Sequence, residues 1–139
     1  MKKIIILLIG TCILTSCRHE SLEDRAAREA KEYTEKYCPT PIENYTRTDS
    51  IVFNKNTKTY FYYCTLTDKM DDSSIIATNA KNIKTALAAG IAKDTKTKAY
   101  KDAGFNFAYV LHSQKHPQQI LFQAIFTPKD YDYKVNSRK

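Results

Sequence analysis

The 139-residue chain has no tryptophan, three glycines and four prolines. Gly10 lies in an apolar leader, which leaves Gly90 and Gly104 for everything after it. A loop that cradles phosphate with backbone N–H groups needs several glycines close together, so that class of nucleotide site is excluded. Histidine is sparse too: His19, His112 and His116. The last two have the His-x-x-x-His spacing that binds a metal from one helix face. Pro117 and strand-like flanks break any helix there, and no carboxylate or cysteine stands near to complete a ligand set. They read as turn-surface residues, and neither a metal nor a cofactor is expected. Cys38 and Cys64 lack the flanking residues of an activated nucleophile. Asp71-Asp72 reads as a helix start, not as a catalytic pair. The chain is expected not to be an enzyme.

Long apolar runs are missing as well. Residues 4–13 form an apolar stretch behind Lys2 and Lys3, well short of the roughly 20 residues that cross a bilayer as a helix. It ends in Leu14-Thr15-Ser16-Cys17, which resembles the lipobox of bacterial lipoproteins. That resemblance implies a signal peptide over residues 1–16 that is removed, a lipidated terminus over 17–19, and Cys17 as the lipid attachment site. Cys12 leaves with the signal peptide. One acyl chain holds a protein only marginally, whereas two or three chains, at about 0.8 kcal/mol per buried CH₂, make a durable anchor. The competing readings are a transmembrane anchor and a plain secretory signal with a chance cysteine. The expected location is the bacterial envelope, with the chain anchored by lipid to the outer membrane and facing the periplasm.

Processing leaves about 120 residues, a single-domain length. Charge is uneven along them. Residues 18–72 carry nine basic and eleven acidic side chains, and residues 73–139 carry eleven basic and four acidic. A basic half suits an envelope protein with an acidic surface or an anionic glycolipid, or is simply a lysine-rich solvated surface. Nucleic acid is not an expected partner of an exported lipoprotein.

Leu22, Ala26, Ala30, Tyr33 and Tyr37 recur at helix spacing, with Ser21 as cap and Cys38-Pro39-Thr40-Pro41 as stop. Two β-rich runs follow, 47–54 and 59–67, joined by the turn residues of "NKNTK". Ile76, Ala80, Ile83, Leu87 and Ile91 mark a second amphipathic helix reaching residue 93. A polar connector with a short helical turn leads to strands at 105–113 and 120–127. The expectation is an α+β domain over residues 20–127, in the order α-β-β-α-β-β. Two helices would pack on one face of a four-stranded antiparallel sheet, with residues 128–139 a loose polar tail.

Ten tyrosines and six phenylalanines are the most unusual feature. In 59–67, Tyr60, Tyr62, Cys64 and Leu66 share one side of the strand; Phe61 and Tyr63 share the other. If helices cover one face, Phe61 and Tyr63 lie exposed as a partner-facing patch, rimmed by Lys55 and Lys58. Cys38 and Cys64 are an even pair in a compartment that permits disulfides, and a bond between them is weighed against separately buried thiols. Asp49-Ser50-Ile51 resembles the O-glycosylation acceptor of Bacteroidota envelope proteins, which would make Ser50 the acceptor; an ordinary strand entry is the alternative. With Cys-Pro after the first helix, "TRTDSIVF" and "YFYYCTL", the chain resembles small uncharacterised envelope lipoproteins of that bacterial group. The resemblance implies the same element order and no activity. The functional expectation is a non-catalytic binding or assembly module, with a carrier of small ligands, lipid or glycan as the alternative. Cys17→Ala should leave the chain unprocessed and unlabelled by a palmitate analogue; processing and labelling that persist would refute the anchor.

Overall fold

The computed structural model describes residues 19–132; residues 1–18, with the expected signal peptide and Cys17, and residues 133–139 lie outside them. The elements are α1 (Leu22–Tyr37), β1 (Thr46–Asn54), β2 (Thr59–Leu66), a 3-10 turn (Asp68–Met70), α2 (Ser73–Lys93), α3 (Lys98–Asp102), β3 (Asn106–Ser113), β4 (Ile120–Phe126) and α4 (Pro128–Tyr131). The fold is α+β in the order α-β-β-α-β-β, with short α3 and α4 added.

Local chemistry sets the ends. The Ser21 hydroxyl accepts from the Asp24 N–H at 3.0 Å, and Glu23 and Asp24 place acid at the positive end of α1. Asp72 alone caps α2, accepting from Ser74 and Ile75 N–H. Asp71 is buried elsewhere: its carboxylate accepts from the Lys115 N–H at 2.9 Å and ties the start of α2 to the β3–β4 turn. At the other end of α2, the Lys101 ammonium donates to the carbonyls of Ile91, Ala92 and Asp94, which satisfies acceptors a helix leaves open. The β1–β2 hairpin turns on Asn54, whose side-chain oxygen accepts from Asn56 and Thr57 N–H.

The strand order is β1-β2-β3-β4, and here one expectation is corrected. Both hairpins are antiparallel, but β2 and β3 run parallel, Thr59 beside Asn106 through Leu66 beside Ser113, so the sheet is mixed and not antiparallel. After β2 the chain crosses the sheet through α2 and α3 and re-enters at the end where β2 began. Such a crossover yields a parallel neighbour. Alternation of side chains is the same for either direction, so residue pattern carried no sign of it.

All four helices contribute to one side. Phe53, Tyr60, Phe107 and Phe126 of the sheet, with Phe105 before β3, pack against Ala26 and Ala30 of α1, Ile91 of α2, Tyr100 of α3 and Tyr131 of α4. Rings of Tyr60 and Phe107 stack at 5.9 Å, and Phe53 and Phe105 at 5.2 Å. Large rings on the sheet meet alanines on α1, which lets the helix come close; Ala26 is fully buried. A second cluster joins Cys64, Leu66, Leu111 and Ile76.

The tail expectation is corrected over residues 128–132, the part of it that is described. Thr127 and Asp130 form a capping box for α4, and Tyr131 is buried with its hydroxyl donating to the Phe105 carbonyl at 2.7 Å. The aromatic core reaches past residue 127 because Tyr131 closes it edge-on to Phe107. Lys55 and Lys58 pair with Asp24 and Glu23 instead of rimming the far face. They clamp the hairpin to the acidic first turn of α1.

One contact guards the outer edge of the sheet at β1. The Thr34 hydroxyl of α1 donates to the Ile51 carbonyl at 2.9 Å and accepts from the Ile51 N–H at 2.8 Å. Thr34→Val keeps the volume but strands both groups, and should cost about 1–3 kcal/mol in urea unfolding.

Candidate functional site

The side of the sheet away from the helices is covered by no described element. Register places two rows of side chains across it. Val52, Phe61, Ala108 and Ile125 form one, and Ser50, Tyr63, Val110 and Gln123 the other. Phe61 and Tyr63 are half-buried and stack on each other, ring centroids 6.2 Å apart and 15° from parallel. Val52 and Ile125 at the two edges are 49% and 52% exposed. Ala108 and Val110 in the middle are buried although no described element lies over them; their larger neighbours shield these short side chains. The result is an apolar strip with an aromatic pair at its centre.

A polar end completes the face. Asp49 sits at the register shift between Thr48 and Ser50. Its carboxylate accepts from the Arg47 guanidinium at 2.7 Å and from the Thr65 hydroxyl at 2.6 Å. This bulge turns the strand so that Ser50 faces the open side beside Tyr63 and Ile51 faces the helices. The Ser50 hydroxyl therefore lies on the aromatic strip itself. His112 continues the polar end, its Nδ1 3.1 Å from the Pro117 carbonyl, while the His116 N–H donates to the Ser113 hydroxyl. Among the described residues, no group of three or more histidine, cysteine, aspartate or glutamate side chains is placed to hold a metal ion.

Cys38 and Cys64 are free thiols. Cys64 faces the helix side, buried, with its sulfur 3.9 Å from the Thr48 hydroxyl oxygen; Cys38 ends α1, half-buried, its N–H donating to the Thr34 carbonyl. Burial pushes the Cys64 thiol up to about 11 and, with the nearby Asp49 charge, raises Cys38 as well. Protonated thiols are poor nucleophiles.

Sequence periodicity missed a second feature. Tyr33 and Tyr37 share the helix face of Ala26 and Ala30, yet they are 39% and 51% exposed. Their rings, 5.1 Å apart, line an open cleft of about 570 Å³ with Thr40, Pro41, Glu43, Asn44, Thr46 and Thr48. Asn44 and Tyr45 both hold positive φ, 49° and 62°. That conformation is uncommon outside glycine and is rare for a side chain as large as tyrosine. No signal in the sequence pointed to this cleft.

These features define a small α+β domain with helices on one face of a mixed sheet and an aromatic strip on the other. The chain belongs to the family described as domain of unknown function (DUF8479), whose pattern matches residues 21–122. No curated protein matches the sequence. Among solved structures, the fold is similar to that of a Pseudomonas aeruginosa protein described as a "putative secreted protein", with TM-score 0.62 and 12% identity over 80% of this chain and 97% of that one. It is also similar to the pilotin EpsS from the Vibrio vulnificus type 2 secretion system, with TM-score 0.58 and 13% identity over 78% of this chain and 90% of that one.

Alkaline titration checks the burial on the helix side. Burial raises Cys64 from 9.0 to about 11, and Tyr109 and Tyr131 from 10.0 to about 12. The unfolded chain releases these protons first, so their contribution to stability is complete below pH 9 and is lost as pH rises towards 12. The Tm should fall across that window, and Cys64→Val should reduce the part of the fall that begins near pH 9, to which Cys38 also contributes.

Proposed function

We propose that this chain is a lipid-anchored, non-catalytic assembly module of the bacterial envelope, which grips a protein partner with the open face of its sheet. The observation that carries the reading is the Phe61–Tyr63 pair, set in an apolar strip that extends to exposed Val52 and Ile125. Soluble monomers seldom keep a contiguous apolar patch without use, and rigid aromatic anchors at the centre of a flat surface are the usual source of interface energy. The leader ending in Leu14-Thr15-Ser16-Cys17 supports anchoring at Cys17 in the outer membrane, facing the periplasm, as in the small Bacteroidota lipoproteins the chain resembles. The fold shared with a secretion-system pilotin and with a protein described as secreted fits an assembly role in that compartment. A glycan on Ser50, directly beside Tyr63, would cover the strip. Modification there would then compete with partner binding.

A carrier role is the second reading, favoured by the cleft of about 570 Å³ beneath Tyr33 and Tyr37, a volume suited to a small ligand. Crosslinking and pull-down from intact envelopes separates the two. The double substitution Phe61→Ser and Tyr63→Ser should leave the Tm nearly unchanged and abolish recovery of the partner seen with the unsubstituted chain. Recovery of a defined lipid or glycan, with no specific protein, would favour the carrier. A large loss of stability would show that both rings are structural.

A further inference from the structure

The two edges of the sheet are treated differently. At β1 the outward backbone groups of two residues are occupied: Ile51 by the Thr34 hydroxyl, and Thr48 by the N–H and hydroxyl of Thr40. At β4 the backbone of residues 120–126 has no partner beyond β3 among the described residues. Natural edges of this kind are blunted with lysine, proline or cover, because an unpaired ladder is a template for another strand. β4 reads Ile-Leu-Phe-Gln-Ala-Ile-Phe, with no charge and no proline, and its Ile120 and Ile125 are 48% and 52% exposed.

We infer that two copies of this chain associate through β4, antiparallel, about a two-fold axis at Gln123. The sequence of the strand is complementary to itself in that register. Gln123 meets Gln123 of the second copy, amide to amide on the open face, and on the helix side Phe122 meets the small Ala124 of the second copy. No like charges are brought together within the pairing, and residues 122–126 keep regular register with β3, the irregularity lying before them. Because the other edge of each sheet is capped at Thr48 and Ile51, the assembly closes at two copies instead of growing into a fibre. The joined sheet has eight strands, and the apolar rows ending in Ile125 run on from one copy to the next. Each pair then presents two Phe61–Tyr63 sites on one continuous face, which would strengthen a repeated or symmetric contact by avidity. The inference does not rest on the partner proposed above.

Sedimentation equilibrium of the full chain tests it. The unsubstituted chain should be a dimer. Gln123→Lys and Gln123→Glu each place like charges across the axis and should raise the dimer Kd by at least about tenfold, with unchanged circular dichroism because the Gln123 side chain is exposed. Mixing the two variants should restore a dimer of one copy of each. The chain with Phe61→Ser and Tyr63→Ser should remain dimeric, which separates this result from any failure of partner binding. A monomeric unsubstituted chain, variants that dimerise undisturbed, or a mixture that stays monomeric would overturn the inference. Larger open assemblies would do so as well.

Discussion

The parallel pairing of β2 and β3 is the constraint from which the rest of the architecture follows. Two antiparallel hairpins could have been joined by a short turn. Instead the connection must carry the chain back to the end where β2 starts, and it does so through α2 and α3. A crossover of that length lies over one face of the sheet and keeps one hand. With α1 and α4 packed on that same side, the opposite face receives no cover from any described residue. The crossover also decides the order: β2 and β3 become central, β1 and β4 become edges.

Packing on the covered side is a division of labour by size. Aromatic rings project from the sheet, and alanines on α1 let the helix settle on them. The hydroxyls of Tyr60 and Tyr131 find backbone carbonyls, at Ala26 and Phe105, so burying them leaves no orphaned donor. Lys55, Lys58 and Lys101 are spent on the same side, on the first turn of α1 and the last carbonyls of α2. The open face is correspondingly poor in charge, apart from the Arg47–Asp49 pair at one end. Its apolar strip and its aromatic pair are what remains when most polar groups have been drawn elsewhere.

Much of this was legible from residues alone, and the legible parts are local. Ser21 and Asp72 cap their helices because a short oxygen-bearing side chain before a periodic segment has few other uses. Strict alternation in β2 set Phe61 and Tyr63 against Tyr60 and Cys64, whatever the neighbours of the strand. The features that escaped are all long-range. Tyr33 and Tyr37 carry the periodicity of a buried face, but they line an open cleft with residues 40–48. Lys55 and Lys58 sit in a hairpin whose lysines would suit any surface, and only the approach of α1 selects Glu23 and Asp24 for them. Tyr131 stands in a polar tail, and its burial needs the gap left beside Phe107.

By itself, then, the sequence determined the type of the six main elements, the ends of the two long helices, and which residues of a strand share a side, because these depend on backbone periodicity and on hydrogen bonds within a few residues. Tertiary structure alone decided the direction of β3 relative to β2, the cleft at Tyr33 and Tyr37, and the contrast between a capped β1 and a bare β4. Each of those depends on where distant segments come to lie. That is a matter of chain closure and packing volume, and no short window of residues encodes it.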